Sequence, residues 1–158
     1  MSRDQMFSDR PNTFPWPPVI LVSTLAVGYS AQGIVPFQMP IAETAAWIGI
    51  ALIALAIAID IAAMITLARA KTTILPHQKS NALVTQGIFS ISRNPIYVAN
   101  VLLIAGIGGW TGNPWIVLLA PLSGFATHHL AILREEQHLT AQFGEPYLDY
   151  VKSVRRWL

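Results

Sequence analysis

The side chains that could do chemistry in this chain lie mainly in two polar segments, residues 70–94 and 134–158. Cysteine is absent, which excludes disulfides, thiolate metal sites and a nucleophilic thiol. His128 and His129 are adjacent, but no third ligand is spaced to complete a metal site with them, so no metal is expected. The standard motifs for dinucleotides, nucleotide phosphates, zinc proteases and serine hydrolases do not occur. Any reaction therefore has to use charged and polar side chains of the two segments.

The composition indicates that these segments are carried by membrane helices. Of the 158 residues, 53% are hydrophobic and only 11% are charged, whereas soluble domains carry about 25% charge. Four apolar runs cover residues 18–37, 41–67, 96–110 and 114–133, and a bilayer needs about 20 apolar residues per span. The third run is short, so it either thins the local membrane or begins before Pro95. We predict an all-α polytopic membrane protein with four transmembrane helices in a single domain over residues 1–158.

The placement of positive charge predicts the orientation of these helices. The ten Lys and Arg residues precede the first run, separate the second from the third, or follow the fourth. The connections at residues 38–40 and 111–113 carry none, which is the positive-inside pattern. We therefore expect both termini and both polar segments to be cytoplasmic, in a bacterial inner membrane. A cleaved secretory signal near residues 19–28 is the alternative, but it would leave three spans and spoil this pattern.

Two motifs in the polar segments match a known family. Residues 83–97 read LVTQGIFSISRNPIY and residues 135–150 read EEQHLTAQFGEPYLDY. They resemble the patterns LVTxGxYxxxRHPxY and EExxLxxxFGxxYxxY of the integral-membrane methyltransferases. This is the family of isoprenylcysteine carboxyl methyltransferase and phosphatidylethanolamine N-methyltransferase. The resemblance extends over about residues 72–158, on both sides of the predicted helical hairpin.

The resemblance implies a cofactor, a class of acceptor and a set of site residues. The cofactor is S-adenosylmethionine, enclosed by the cytoplasmic loop and the C-terminal tail, and the acceptor is a lipophilic or lipid molecule that enters from the membrane between helices. Arg93 and Glu136 are the implied catalytic residues. The implied cofactor-binding residues are Asn81, Leu83, Val84, Gly87, Asn94, Pro95, Tyr97 and Glu135. Nucleic acid is not an expected partner, because the positive residues form no stripe.

The chemistry of these residue types is compatible with two accepting atoms. Arg93 could orient an anionic acceptor, and the two adjacent glutamates could bind the ammonium of the cofactor's methionine moiety. A carboxylate acceptor needs no base, whereas an amine must first lose a proton, for which Glu136 or His129 is a candidate. The sequence leaves oxygen and nitrogen open.

The sequence departs from the family pattern at three positions, two of which leave room for a second function although the preserved arginine, glutamates and tail argue against it. Asn94 replaces the usual histidine, Phe89 replaces tyrosine, and Asn81 stands where the eukaryotic carboxyl methyltransferases have histidine. Without these imidazoles the prenylcysteine substrate is less expected. The alternative function is a catalytically inactive family member that acts as a membrane assembly or transport partner.

Other polar and small side chains have two interpretations each. Asp60, inside the second run, could serve function or pair within the helix bundle. His128 and His129 could line a pocket or be hydrogen-bonded within the bundle, and one helical face could carry His128, Ile132 and Glu135 together. The basic tail is most simply attracted to anionic lipids. Small residues of the second run are expected to mediate helix packing: Gly49, Ala51, Ala54, Ala56, Ala58 and Ala62.

Overall fold

The structure is a computed structural model that describes residues 16–37, 42–70 and 82–158. Regular structure in these ranges is entirely helical, which confirms the all-α prediction. The α-helices are α1 (Trp16–Ile34), α2 (Ala42–Arg69), α3 (Pro95–Trp110), α4 (Pro114–Thr127), α5 (Leu133–Phe143) and α6 (Glu145–Ser153). A 3-10 turn (Gly87–Ser90) precedes α3, and a π-helical turn (His128–Ile132) joins α4 to α5.

Three stretches of the described chain are long and apolar enough to cross a bilayer, namely Trp16–Ile34, Glu43–Arg69 and Pro114–Phe143. The fourth apolar helix, α3, has 16 residues and a length of about 24 Å, less than the roughly 30 Å of a hydrocarbon core. It begins at Pro95 and not earlier, because proline suits the first helical turn but the residue before proline is biased away from helix. The chain is an integral membrane protein with three candidate spans and one shorter apolar helix.

The hairpin between α3 and α4 is closed by Asn113. Its side-chain oxygen accepts hydrogen bonds from the backbone N–H groups of Trp115 at 3.0 Å and Ile116 at 3.3 Å, which caps α4. Its amide nitrogen donates to the carbonyl of Gly28 in α1 at 3.2 Å. Gly112, which precedes it, has a φ of +65°, a conformation that favours glycine. One buried side chain thus sets the turn and attaches α1 to it.

Helices α2 and α3 pack along a seam of small residues. Gly49, Ala56 and Ala63 recur every seven residues along α2 and are buried, which places them on one face. A Cβ atom on Gly49 would lie 2.3 Å from the backbone nitrogen of Trp110 and 2.5 Å from the carbonyl oxygen of Gly106. The two backbones therefore touch, as small residues allow between membrane helices.

The prediction for the other small residues of α2 was only partly right. Ala51, Ala54 and Ala58 are exposed, because the helical repeat turns them away from α3.

Asp60 follows Ala56 by one turn on the seam side and is half-buried, and its Oδ1 is enclosed without a hydrogen-bond partner among the described residues.

Replacing Gly49 by alanine should destabilise the protein, because the new methyl group overlaps the α3 backbone. Overpacking of this kind costs about 1–3 kcal/mol. The control is Gly33→Ala in α1, where a Cβ would meet nothing within 4 Å and alanine favours the helix. Thermal unfolding in detergent should show a lower midpoint for Gly49→Ala alone. Equal midpoints for the two variants would contradict the close α2–α3 contact.

Candidate functional site

An ionic cluster joins three parts of the chain that are distant in sequence. Arg93, in the loop before α3, places Nη1 3.1 Å from Glu136 Oε1 in α5. Arg156, beyond α6, donates from Nε to Glu136 Oε1 at 2.8 Å and from Nη2 to Oε2 at 2.7 Å. The side chains of Arg93 and Glu136 are 8% and 17% exposed. We call Arg93, Glu136 and Arg156 the ionic cluster.

A second contact beside the cluster links α3 to α5. The Tyr97 hydroxyl donates to Glu135 Oε2 at 2.9 Å, and the Tyr97 ring packs against buried Ala131 and Ile132 of the π-helical turn. Adjacent glutamates therefore have different partners: Glu135 binds a phenol and Glu136 binds two guanidinium groups. Glu135 and Tyr97 both belong to the predicted cofactor set, and the fold brings them into direct contact.

Hydrogen bonds to backbone carbonyls attach the tail after α6 to the loop before α3. We call this attachment, together with the ionic cluster, the junction. The Arg93 N–H donates to the Arg155 carbonyl at 3.0 Å. The Arg156 carbonyl accepts from the Asn94 side-chain amide at 2.9 Å and from the Ser92 hydroxyl at 3.4 Å. Asn94, which stands where the family pattern has histidine, therefore holds the tail through a hydrogen bond donated by its neutral amide. The basic tail was predicted to bind lipid headgroups, but Arg156 instead pairs with Glu136.

Two tyrosines of α6 complete this junction. The Tyr150 hydroxyl donates to the backbone carbonyl of Phe89 at 2.6 Å. This hydrogen bond does not involve the Phe89 side chain, so it does not depend on the tyrosine that the family pattern has at this position. Arg93 Nη1 donates to the Tyr147 hydroxyl at 3.4 Å. Burial, with a smaller contribution from Glu136, raises the pKa of Tyr147 to about 12, so its hydroxyl stays neutral at physiological pH. The aromatic side of α6 faces the protein, because Tyr147 and Tyr150 are both buried.

The loop that carries the first motif lies against α2. Gly87 has a φ of +61°, and a Cβ atom there would lie 2.8 Å from Thr66 Oγ1. Leu83 and Val84 are half-buried in the irregular stretch before it. Asn81 lies outside the described residues. The predicted residues thus divide into a group at the ionic cluster (Arg93, Asn94, Pro95, Tyr97, Glu135 and Glu136) and a group on the loop (Leu83, Val84 and Gly87).

Buried polar atoms of α5 and of Arg93 have no hydrogen-bond partner among the described residues. His138, one helical turn after Glu135 in α5, is 4% exposed, and neither ring nitrogen has a hydrogen-bond partner among the described residues. Arg93 Nε is enclosed in the same way. Buried polar groups are normally hydrogen-bonded, so these atoms indicate a polar ligand. S-adenosylmethionine, with its carboxylate, ammonium and ribose hydroxyls, has the groups to satisfy them. Sequence reasoning missed His138, which occupies a variable position of the motif.

An apolar groove of about 650 Å³ lies between α3 and α4. Its walls are Val98, Val101 and Leu102 on one side and Pro121, Gly124 and Phe125 on the other. His128, His129, Trp157 and Leu158 complete the lining. His128 is within electrostatic reach of Arg156 and Glu136, so the polar end of the groove adjoins the ionic cluster.

The predicted face of His128, Ile132 and Glu135 is only partly right, because Ile132 and Glu135 both contact Tyr97 whereas His128 does not share this contact. The N–H of Leu133 bonds to the carbonyl of His128, five residues earlier, which is the π-helical pattern. The wider turn changes the helical register. Ile132 consequently packs on Tyr97 in the core, whereas His128 lines the groove.

Comparison with protein families agrees with this arrangement. A family model described as phospholipid methyltransferase matches residues 44–146. The chain belongs to the phospholipid methyltransferase family. The match agrees with the family resemblance that the two motifs had indicated.

Individual proteins are similar to parts of the chain. The nickel-cobalt-cadmium resistance protein NccN of Alcaligenes xylosoxydans xylosoxydans is 34% identical over 49% of this chain and 36% of its own length. The cobalt-zinc-cadmium resistance protein CzcN of Cupriavidus metallidurans is 32% identical over 49% of this chain and 35% of its own length. An uncharacterized protein of Haemophilus influenzae is 32% identical over 40% of this chain and all of its own length. The chain thus matches about a third of each resistance protein, and its described residues hold no group of three metal-ligating side chains.

The fold is shared with a larger methyltransferase. The structure of the eukaryotic intramembrane Ras methyltransferase, isoprenylcysteine carboxyl methyltransferase, covers 90% of this chain with a TM-score of 0.62 at 23% identity. The match covers 52% of that protein. At this identity the similarity establishes the fold.

Replacing Glu136 by glutamine should unfold the junction at lower temperature, because two arginines then lose their shared carboxylate. Removing one partner of a buried ion pair costs about 3–5 kcal/mol. Asp149→Asn is the matched control: its pair with Lys152 has both side chains 71% exposed and is expected to contribute little. Thermal unfolding in detergent should give a lower midpoint for Glu136→Gln than for Asp149→Asn. Equal midpoints would mean that the ionic cluster does not stabilise the fold.

Proposed function

We propose that this protein transfers methyl groups from S-adenosylmethionine to a lipophilic or membrane-embedded acceptor at the cytoplasmic membrane interface. The observation that carries the proposal is the contact between two environments. The ionic cluster, where Arg93 Nε has no partner among the described residues, is within electrostatic reach of His128 in the lining of the apolar groove. A charged cofactor needs the polar junction, and a lipid-like acceptor needs the apolar groove.

The proposed orientation has four membrane-crossing helices with both termini cytoplasmic. It is supported by the positive residues, which flank only one side of the apolar runs. The short helix α3 would cross where the protein thins the bilayer. Because the ionic cluster lies at the loop before α3 and at the tail, this orientation puts the proposed site at the cytoplasmic side.

The cofactor would be held by the residues around the ionic cluster and the loop. S-adenosylmethionine supplies an electrophilic methyl group on a sulfonium. His138 and Arg93 Nε would hydrogen-bond its polar groups, and Glu135 would attract its positive charge. Gly87 keeps the loop close to α2, and Pro95 starts α3 at a fixed point. Glu136, held by two arginines, fixes Arg93 relative to the tail.

The acceptor would occupy the groove between α3 and α4. Its volume is within the range of roughly 300–1,000 Å³ typical of small-molecule sites, and its walls are almost wholly apolar. Such walls exclude water from the reacting atoms, and alignment with exclusion of water is most of what methyl transfer requires.

The cofactor proposal is tested by calorimetric titration of the detergent-solubilised protein with S-adenosylhomocysteine. Wild type should bind with micromolar affinity. His138→Ala should weaken binding about tenfold, the effect expected when one hydrogen bond in a buried site is lost. Gln137→Ala is the control, because Gln137 is the exposed neighbour on α5.

Two outcomes would count against the cofactor site. Equal affinity in wild type and His138→Ala would remove His138 from it. If folded wild type does not bind S-adenosylhomocysteine, the protein is instead the catalytically inactive membrane partner.

The acceptor proposal is tested by narrowing the groove. Leu102→Trp adds a large side chain to its wall and should raise the KM for a lipophilic acceptor by about tenfold while leaving S-adenosylhomocysteine affinity unchanged. Leu118→Trp is the control, because Leu118 is exposed on α4 and does not line the groove. If Leu102→Trp keeps the wild-type KM, the acceptor binds elsewhere.

A further inference from the structure

The tail after α6 belongs to the junction and to the groove at the same time. The Arg155 carbonyl accepts a hydrogen bond from the Arg93 N–H at 3.0 Å. Arg156 donates to Glu136 from two of its nitrogen atoms, and the next residue, Trp157, lines the groove. Because the two residues before it are bonded to the junction, the position of the Trp157 indole is set there.

The half-buried Trp157 side chain has different surroundings on its two sides. It lines the groove on one side, and it packs against the buried cluster of Tyr97, Ala131 and Ile132 on the other. Tyr97 in turn donates to Glu135, a residue of the proposed cofactor site. The indole therefore lies between the apolar groove and the Tyr97–Glu135 contact.

The chemistry on the two sides gives this separation a purpose. The described lining residues of the groove include no Lys, Arg, Asp or Glu, whereas Glu135 lies beyond Tyr97 on the other side. Hydrocarbon next to a carboxylate is unfavourable, because the charged group loses its water. A tryptophan ring is large and rigid, so it can occupy such a position at a low entropy cost. An acceptor that extends from the groove toward the proposed cofactor residues has to pass the edge of this ring.

We propose that Trp157 is the specificity-determining residue at the end of the acceptor groove. Its indole admits acceptors that are slender next to the reacting atom and excludes those that carry a bulky substituent there. This inference rests on the proposed methyl transfer. It assigns a selection by shape, which applies to an oxygen and to a nitrogen acceptor alike.

Trp16 of α1 offers a matched comparison. It packs against the same buried cluster as Trp157 but is not part of the groove lining. Replacing either tryptophan by alanine removes an indole from the cluster. Only Trp157→Ala should connect the groove with the cluster.

The first test measures this connection without turnover. The chain has no cysteine, so Ile132→Cys places a single thiol in the buried cluster, where it reacts only after local opening. Labelling by N-dodecylmaleimide in detergent should become faster by about tenfold or more when Trp157→Ala removes the indole and the need for this opening. Trp157→Phe and Trp16→Ala should keep the slow rate. Leu102→Cys, on the groove wall, is the control and should react equally fast with every side chain at position 157.

The second test measures selection in mixed micelles with the full chain and S-adenosylmethionine. Phosphatidylethanolamine is paired with an analogue that has two methyl groups on the carbon next to the nitrogen. N-acetyl-S-farnesylcysteine is paired with the N-benzoyl compound. For the pair that is methylated, wild type should prefer the slender member by about a hundredfold in kcat/KM, a size of discrimination that apolar pockets reach.

The variants should change this ratio in different ways. Trp157→Ala should lower the preference to about tenfold or less, because the bulky member gains access. Trp16→Ala should keep the wild-type ratio. A merely structural effect would lower both rates together and leave the ratio unchanged.

The outcomes separate this inference from the proposed function. Slow labelling of Ile132→Cys after Trp157→Ala, or a wild-type ratio in that variant, would overturn the role of Trp157 while retaining the methyltransferase. Weaker S-adenosylhomocysteine binding by Trp157→Ala with an unchanged ratio would also overturn it, because the indole would then serve the cofactor. If wild type neither binds S-adenosylhomocysteine nor methylates any of the four acceptors, the proposed function fails, and the labelling rates still decide whether Trp157 closes the groove.

Discussion

The structure depends on one carboxylate shared by two arginines. Glu136 connects the loop before α3 with the tail after α6, two segments separated by more than 60 residues. Such a cluster is stable only where its charges are compensated and its hydrogen bonds are satisfied, because partial burial removes water from each group. The adjacent Glu135 takes no part in these ion pairs and instead accepts a hydrogen bond from Tyr97. The backbone contacts of Ser92, Arg93 and Asn94 then follow from the position of the tail.

The pairing at Glu136 distinguishes the motif residues that hold the junction together from those with unpartnered polar atoms. Much of each motif holds the junction together: Asn94 binds a backbone carbonyl, Tyr150 binds another, and Glu136 is already occupied by two guanidinium groups. A group that is fully paired in this way acts by positioning its neighbours. Among the described residues, Arg93 Nε and the two ring nitrogens of His138 have no hydrogen-bond partner, which is why the proposed cofactor is assigned to them.

The sequence predicted the helices better than the contacts between them. Apolar runs and the turn at residues 111–113 locate α1 to α4, because hydropathy and turn chemistry are local properties. The motif resemblance selected Arg93 and Glu136, which the fold brings into contact. It could not identify Arg156, since choosing between two adjacent arginines requires the path of the chain through α6. His138 was missed for a related reason: its significance lies in burial without a partner, which is a property of packing alone.

The π-helical turn is where local prediction failed most informatively. In a continuous α-helix, residues seven apart lie on one face, which is why His128 and Glu135 were expected together. One additional residue in a turn rotates the following helix by about 100°. Glu135 can then reach Tyr97 while His128 and His129 face the groove. The turn therefore lets one continuous helix contribute to two different surroundings, the contact with Tyr97 beside the ionic cluster and the groove lined by His128 and His129.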